Sequence, residues 1–416
     1  MSGLSLQRLS QSNPEHGLLA AAIALGPFRE HRDYSLGLAI IWLSLHLLRQ
    51  LWTSRQYVKG KIASLTPGIA LGLLLIQSRM LMRMDDHEGP TRYLLIAVAL
   101  LVGSCLSNTN WKHLLQWIAT GTLILSMMFW LQLDSTNSLW IHAANKNWAG
   151  EGYGGINMFC SVLNVLTLCS FYGFRLSDKL LQRLITGSAC LLSYSLCLVS
   201  QSRMAAVAPL LAVFFAWLIS EGWSKVKRLS NLPKAGAIGI LMLLPSATYW
   251  HFAIRPDLSS NMVNDTARLQ IWWCNLQNSV FAGNNKIIYG SGFDSSRIRD
   301  ACGHASSHNA YVQFLSMHGL LGSIALLVLL ILVSQGIRHH LRHRGDARGR
   351  WRCSWAEVAL GTNLLILFTA ISSSTHLGGY LNPLLIGLML SMSLAPLPQA
   401  SDPKNADQSD VRIIPN

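Results

Sequence analysis

Residues 113–133 read HLLQWIATGTLILSMMFWLQL, a run of 21 residues that contains no acidic side chain, no lysine and no arginine. A helix needs roughly 20 apolar residues to cross a hydrocarbon core about 30 Å thick. Lipid offers no hydrogen-bond partners to the backbone, so such a run has to form a helix or a strand of a closed barrel. Barrel strands have about 10 residues of alternating polarity. The stretch therefore predicts a transmembrane α-helix.

Similar apolar runs recur along the chain. Of its 416 residues, 51% are hydrophobic and 12% are charged, whereas soluble domains carry about 25% charged residues. We therefore expect an all-α, polytopic transmembrane helix bundle that forms a single domain over residues 1–394, followed by a polar, disordered tail over 395–416. About twelve spans are predicted, at residues 17–28, 34–52, 62–78, 93–106, 113–133, 155–174, 184–200, 204–220, 235–254, 319–337, 355–373 and 377–394.

The basic residues identify one side of the membrane. They concentrate in alternate loops, in the segments 55–61, 175–183, 225–234 and 338–352. Because cytoplasmic loops carry an excess of lysine and arginine, these loops and both termini are predicted to be cytoplasmic. The loops at 79–92, 134–154 and 255–318 then lie outside. The net charge of +14 would suggest nucleic acid as a partner of a soluble protein, but its distribution over membrane loops argues against nucleic-acid binding here.

The outer loop over 255–318 is the longest connection, and long loops are usually functional or form their own substructure. Its segment 266–280 is predicted to form an amphipathic helix on the membrane surface. Cys274 and Cys302 both lie in this loop, which is an oxidising environment if the topology holds. A disulfide and two free thiols are both open interpretations, because the sequence does not give the separation of the two residues.

Two arginines in the outer region are candidates for binding an anion. Arg203 lies between two spans with almost no loop, where an arginine either snorkels to the interface or meets an anion. Arg268 comes one helical turn before Trp272 on the predicted surface helix, where it is either an ordinary solvated residue or a second anion contact. A guanidinium suits phosphate because its planar fork donates two hydrogen bonds at once.

A histidine-containing segment precedes the predicted span at 319–337. It reads GHASSHN over residues 303–309 and places His308 at the outer mouth of the bundle. A neutral histidine can take a proton from a hydroxyl nucleophile, whereas the alternative is an interfacial histidine that caps a helix. His304 is the weaker candidate for the same role. A metal site is not expected from this pair or from the cysteines, which form no Cys-x-x-Cys pair.

Several of these stretches resemble the O-antigen ligase and polymerase superfamily. Three carry the resemblance: Ser200-Gln-Ser-Arg203 before an apolar helix, Arg268-Leu-Gln-Ile-Trp272 followed by Tyr289-Gly-Ser-Gly-Phe293, and His308-Asn309 separated by nine residues from Gly319-Leu-Leu-Gly322. Upstream, Gly154-Gly-Ile-Asn157 resembles the family's glycine- and asparagine-containing start of a span. The resemblance covers about residues 154–337. In one departure, Val207 stands where the ligases often have leucine, which leaves ligase and polymerase both open.

The resemblance implies a glycosyltransferase of the bacterial inner membrane whose active site faces the periplasm. The donor would be a glycan on undecaprenyl pyrophosphate, and the acceptor would be a sugar hydroxyl of lipid A–core or of another glycan. No cofactor is implied. The catalytic residues would be His308, Arg203 and Arg268, and the substrate contacts would be Asn157, His304, Asn309, Trp272 and Arg297.

Other functions stay open on the sequence alone. A polymerase of lipid-linked repeats and a protein O-oligosaccharyltransferase would share the same motifs. A bicarbonate-type transporter is the alternative from a different class. Transporters often have broken helices, internal repeats and charged groups near the bilayer midplane. This chain shows no repeat and gathers its ionisable groups at the outer mouth, which favours the enzyme.

Overall fold

A computed structural model describes residues 16–26, 32–53, 99, 108–132, 156–199, 203–222, 265–291, 300–303, 309–342, 355–372, 384–386 and 389. Within these ranges the chain forms helices joined by short turns, and no strand occurs among them. The all-α class predicted from the apolar runs is therefore confirmed for the described part of the chain.

Ten α-helices lie in these ranges. They are α1 (His16–Leu25), α2 (Arg32–Thr53), α3 (Asn108–Gln132), α4 (Ile156–Leu176), α5 (Leu180–Val199), α6 (Arg203–Trp217), α7 (Asp265–Ser279), α8 (Asn284–Tyr289), α9 (Ala310–Arg342) and α10 (Trp355–Ser372). A π-helical turn at Leu218–Gly222 extends α6.

Eight of the twelve predicted spans coincide with helices, namely α1 to α6, α9 and α10. The predicted spans at 62–78, 93–106, 235–254 and 377–394 lie wholly or mostly outside the described residues. By length and composition, two described segments are long and apolar enough to cross a membrane, Lys112–Leu131 in α3 and Phe159–Leu176 in α4. The full twelve-span topology stays a prediction.

Helices α3, α4 and α5 pack against one another and form the centre of the bundle, with α1 on α3 and with α10 against α4 and α6. Close approach depends on small residues, as is usual where helices meet in membranes. A Cβ at Gly121 of α3 would lie 2.5 Å from the Ala20 carbonyl oxygen of α1. Helix α2 is joined to α1 by the Trp42 indole, which donates a buried hydrogen bond to His16 Nδ1 at 2.9 Å.

The surface of the bundle is apolar, whereas polar groups lie inside it. Five leucines of α5 are exposed, and they are Leu180, Leu181, Leu184, Leu191 and Leu198. Between α4 and α5, the buried Thr167 hydroxyl donates to Ser193 Oγ at 2.9 Å. In water, large exposed apolar patches are uncommon on monomeric proteins, whereas lipid accepts them and favours interhelical hydrogen bonds. The distribution supports a membrane setting.

One end of the bundle is held by ion pairs. Arg175, in the last turn of α4, pairs with Glu357, in the first turn of α10, and the Glu357 side chain is only 1% exposed. At the same end, Lys112 pairs with Asp178 in the turn between α4 and α5. These four residues define what we call the charged end. It contains the start of the basic segment 175–183, which the sequence predicts to be cytoplasmic.

We expect the two halves of the Arg175–Glu357 pair to differ in importance. Arg175→Ala leaves a buried carboxylate without its cation, and breaking a buried pair in this way costs about 3–5 kcal/mol. Glu357→Gln leaves a more exposed guanidinium, which can reach solvent along its own stem, so its cost is smaller. Thermal unfolding of the purified variants tests this order. Equal midpoints for both variants would contradict the burial difference, and Arg175→Ala/Glu357→Gln should recover part of the loss.

The close approach of α3 to α1 at Gly121 leads to a second prediction about stability. Gly121→Ala places a methyl group against the α1 backbone, and such overpacking costs about 1–3 kcal/mol. The matched control is Gly37→Ala in α2, where an added Cβ meets no atom within 4 Å in the described structure. The control should be neutral or slightly stabilising, because alanine restricts the unfolded chain. Midpoints of thermal unfolding in detergent compare the two, and an unperturbed Gly121→Ala would rule out close α1–α3 packing.

Candidate functional site

The opposite end of the bundle collects several helix starts. Helix α4 runs from Ile156 towards the charged end, α5 returns from it, and α6 begins at Arg203. The Tyr194 hydroxyl of α5 donates to the Ala206 carbonyl in the first turn of α6 at 2.9 Å. This hydrogen bond joins the returning end of α5 to the start of α6, so the starts of α4 and α6 lie on the same side of the bundle.

Helix α9 begins on this side too. Its second residue, Tyr311, donates from its hydroxyl to the Leu367 carbonyl of α10 at 3.2 Å. Helix α10 starts at the charged end, and Leu367 lies about 15 Å along the helix from Glu357. Tyr311 precedes the predicted span at 319–337, and burial raises the pKa of its phenol, which keeps the hydroxyl protonated as a donor. We call the end where α4, α6 and α9 begin the loop end.

The residues predicted to form the site fall into two groups. Five lie in the described ranges: Asn157 in the first turn of α4, Arg203 as the first residue of α6, Arg268 and Trp272 in α7, and Asn309 directly before α9. His304, His308 and Arg297 lie outside the described residues. The structure thus places the helix starts that carry Asn157 and Arg203, and the helix start that follows His308, on the same side of the bundle.

Asn309 caps helix α9. Its side-chain oxygen accepts hydrogen bonds from the backbone N–H groups of Tyr311 at 2.9 Å and Val312 at 3.1 Å, and its own carbonyl accepts from Gln313 N at 2.9 Å. This is the hydrogen bonding of a helix N-cap. The capping role that the sequence left open for His308 is therefore filled by its neighbour. Asn309 has a structural function besides the substrate contact that the resemblance implies for it.

Helix α9 is interrupted at Gly319. This residue has φ 62° and ψ −162°, which is not a helical conformation. The interruption separates a short helix over residues 310–318 from the longer helix over 320–342. The sequence assigned residues 310–318 to a spacer within the outer loop, and the structure makes that spacer helical. Hydrophobic periodicity over nine residues is a weak signal for a helix. Asn309, as a possible N-cap residue, was the stronger signal in this sequence.

The turn after α8 packs against α9 at its interruption. The backbone N–H of Ser291 donates to the Ser316 carbonyl at 2.9 Å, and the Ser291 hydroxyl donates to the same oxygen at 3.1 Å. In an uninterrupted helix this carbonyl would accept from the N–H four residues later. Gly290 and Gly319 bring the two backbones into contact, since a Cβ on either glycine would overlap the opposing main chain. We call this arrangement of Gly290, Ser291, Ser316 and Gly319 the clasp.

Gly322, the second glycine of Gly319-Leu-Leu-Gly322, is required for a different steric reason. A Cβ at Gly322 would overlap the Cβ of His318. The buried His318 ring also lies against Phe314, with ring centroids 4.4 Å apart. Two stretches on which the family resemblance rests, Tyr289-Gly-Ser-Gly and Gly-x-x-Gly, are therefore in direct contact. Sequence reasoning missed Ser291 and Ser316 as the residues that join them.

The predicted surface helix is present as α7. The buried side chains of α7 are polar, Asn275 and Ser279, whereas Leu269 and Trp273 are 58% and 56% exposed. The Trp273 ring lies 6.1 Å from that of Phe281, which is also exposed. Gln270 and Gln277 of α7 are exposed as well, so the exposed face of this helix carries both apolar and polar side chains. Its position on a membrane surface stays a prediction.

A disulfide joins Cys274 of α7 to Cys302, with the two Cα atoms 5.9 Å apart. Of the two interpretations that the sequence left open, the structure has the bridge. It ties α7 to the segment 300–303, shortly before His308 in the chain. Among the described residues, no three histidine, cysteine or acidic side chains come close enough together to hold a metal ion.

The bridge gives a direct chemical prediction. Alkylation of the denatured, unreduced protein should leave Cys274 and Cys302 unlabelled and label Cys190, which the structure shows as a free thiol. After reduction, both bridged residues should take the label. Peptide mass spectrometry reads the three positions in one experiment. Labelling of Cys274 and Cys302 before reduction, to the same extent as Cys190, would contradict the structure.

The described geometry thus consists of three helix starts at the loop end, a capped short helix, the clasp and a disulfide. Comparison with known proteins adds no relative to this picture: neither a scan against protein-family models nor a search of curated proteins finds a match.

Proposed function

We propose that the protein is an O-antigen ligase-like glycosyltransferase of a bacterial inner membrane. It transfers a glycan from undecaprenyl pyrophosphate to a sugar hydroxyl of lipid A–core, without a metal. The observation that carries the proposal is that the starts of α4, α6 and α9 lie on the same side of the bundle, at the loop end. These starts bear Asn157 and Arg203 and follow His308, the residues through which the chain resembles the ligase and polymerase superfamily.

The transfer reaction requires two functions of these residues: stabilising the charge on the leaving group and accepting a proton from the acceptor. When the acceptor oxygen bonds to the anomeric carbon, the bond from that carbon to the pyrophosphate oxygen breaks and leaves negative charge on the pyrophosphate. Arg203 and Arg268 would stabilise that charge, as fixed cations do in a site of low dielectric. His308 would take the proton from the attacking hydroxyl. Attack from the face opposite the leaving group inverts the anomeric centre.

The backbone position of Arg203 supports this role. It is the first residue of α6, and the N-terminus of a helix presents unpaired N–H groups and the positive end of the helix dipole. An anion at such a position is favoured by the backbone as well as by the arginine. In the alternative interpretation, the arginine snorkels and meets only solvent. That interpretation gives no role to the starts of α4 and α9, which lie on the same side of the bundle.

The charge at one end of the bundle and the disulfide at the other support an orientation in the membrane. The charged end contains the beginning of a basic segment, which favours the cytoplasm. The loop end carries the Cys274–Cys302 disulfide, which favours the periplasm, where disulfides form and persist. Charge and cysteine chemistry are independent signals and agree. With the twelve spans predicted from the sequence, both termini are then cytoplasmic, and a lipid-linked donor arrives at the loop end from the outer leaflet.

The break in α9 is the one observation that favours a transporter. Interrupted helices in transporters leave backbone groups that bind ions or substrates. In α9, however, the Ser316 carbonyl already accepts two hydrogen bonds from Ser291. The break is thus occupied by the protein's own turn. A polymerase and a protein O-oligosaccharyltransferase use the same donor and differ from a ligase in the acceptor.

Deletion of the gene separates these functions. Surface polysaccharide on a gel should lose its long chains from lipid A–core, and long chains should accumulate on the lipid carrier, if the protein is a ligase. Single repeats attached to core would indicate a polymerase instead. Unchanged polysaccharide would reject both and leave protein glycosylation or transport, and uptake of labelled bicarbonate in the same strains measures transport.

The base assignment predicts the effect of substitutions at and beside His308. His308→Ala should lower transfer by about 10²–10⁴-fold, the usual contribution of a general base. Gly283→Ala is the control, because an added Cβ there meets no atom within 4 Å among the described residues, and it should preserve activity. Wild-type activity should decline as pH falls through the histidine pKa, since only the neutral ring accepts a proton. A His308→Ala variant with the wild-type rate and no acid limb would exclude this residue as the base.

The arginine assignment predicts a different pattern. Arg203→Ala and Arg268→Ala should each abolish detectable transfer while the protein stays in the membrane fraction. Lysine keeps the charge and loses the two-pronged hydrogen bonding, so Arg203→Lys should retain partial activity. In vitro transfer with a lipid-linked donor measures all three. Full activity in Arg203→Ala would restore the snorkelling interpretation for that residue.

A further inference from the structure

We propose that the clasp is a positioning device that fixes the short helix over residues 310–318, and with it the residues at its start, relative to α7 and α8. Ser291 and Gly290 are then positioning residues for the transfer reaction, although neither touches the reacting atoms. The inference rests on the proposed function for its catalytic consequence. Its structural part rests on the hydrogen bonds and close contacts of the clasp alone.

The first step concerns the interrupted helix. Gly319 has a left-handed φ and a non-helical ψ, so the helical conformation of α9 is interrupted at that residue. A nine-residue helix is too short to be stable by itself in water. The helix over 310–318 therefore needs attachments to the rest of the protein, and the clasp provides one at its far end. Both donors of Ser291 reach the Ser316 carbonyl, three residues before the break.

The second step concerns the other attachments of the same helix. Asn309 caps its first turn through two N–H groups. The Tyr311 hydroxyl fastens it to the Leu367 carbonyl of α10. The helix is thus held at its start by a cap, on one side by α10, and at its end by Ser291. The clasp connects it to the segment that also contains α7, in addition to direct contacts between α7 and α9.

The third step concerns what the clasp connects. Residues 265–291 run without a gap through α7, a turn and α8 to Gly290. In that turn Val280 N and Phe281 N both donate to the Leu276 carbonyl, at 2.9 Å and 3.0 Å. Gly290 N in turn donates to the Lys286 carbonyl at 2.8 Å. A hydrogen-bonded path therefore leads from the helix that carries Arg268 to the helix that follows His308.

A second connection runs in parallel. The Cys274–Cys302 bridge ties α7 to the chain upstream of His308, while the clasp ties α8 to the chain downstream of it. His308 thus lies in sequence between two points that are both fastened to the segment 265–291. A catalytic pair needs its reacting groups held within about 1 Å, and misplacement on that scale costs roughly 10²-fold in rate. Two attachments on either side of one residue provide such restraint.

The test compares glycines in the same segment. Gly290→Ala adds a methyl group that overlaps the Met317 carbonyl, whereas Gly283→Ala adds one that meets nothing within 4 Å among the described residues. Ser291→Ala removes the side-chain donor and keeps the backbone donor, and Ser291→Thr retains a hydroxyl. Each full-length variant is purified into lipid nanodiscs. Amide hydrogen exchange of residues 310–318 and transfer kinetics with a lipid-linked donor are measured on the same samples.

In Gly290→Ala we expect exchange of residues 310–318 to accelerate at least about tenfold, and kcat to fall roughly 10- to 100-fold with KM for the donor little changed. The acid limb of the pH–rate profile should also shift, which a loss of folded protein would not cause. Ser291→Ala should change the exchange of residues 310–318 and kcat in the same directions, but by less. Ser291→Thr should restore both quantities, and Gly283→Ala should match the wild type.

Two results would overturn the inference. Exchange of residues 310–318 that is the same in Gly290→Ala and Gly283→Ala would mean that the clasp does not hold the helix. Accelerated exchange with wild-type kcat would mean that it holds the helix without positioning the catalytic groups. A wild-type protein that transfers no glycan overturns the proposed function itself, and the exchange comparison alone then supports or overturns the clasp.

Discussion

A helix that breaks within packed protein leaves carbonyl groups without donors, and an unmade buried hydrogen bond costs roughly 1–3 kcal/mol. In a membrane protein the chain has to supply those donors itself. Here the break at Gly319 is possible because Ser291 gives the Ser316 carbonyl two donors. The requirement for backbone contact then dictates glycine at 290 and 319, where a side chain would not fit. The junction between α8 and α9 therefore depends on this one carbonyl.

The two ends of the bundle are stabilised by different physics. At the charged end, side chains of opposite charge join helices that are far apart in the chain, as Arg175 and Glu357 do. At the loop end, main-chain groups, a helix cap and a disulfide provide the attachments, and these interactions weaken little with salt. This division agrees with the proposed function, in which a pyrophosphate binds at one surface and loop charge sets the orientation at the other.

Much of the fold could be predicted from the sequence because apolar run length is a direct consequence of bilayer thickness. The helices at α3 and α4 are where the runs place them, and α7 is where the spacing of Leu269 and Trp273 suggested a helix. The short helix over 310–318 was not predicted, since its stability comes from tertiary attachments and not from its own pattern. Cys274 and Cys302 could not be paired, because loop sequence does not fix the distance between two residues. For the site, the sequence predicts His308 and Arg203 by residue type and position, and both assignments stay predictions. It could not identify Ser291, whose role depends on a contact with a carbonyl 25 residues away.

The Cys274–Cys302 bridge also has a consequence for how the protein is made. Its two cysteines are 28 residues apart, and on the proposed orientation both have to cross the membrane before their thiols meet an oxidant. On that orientation the bridge records that export of this segment has happened. A chain produced where thiols stay reduced would have the same helices and lack this closure. Heterologous production of the intact protein accordingly calls for a host whose envelope has its own thiol-oxidising machinery.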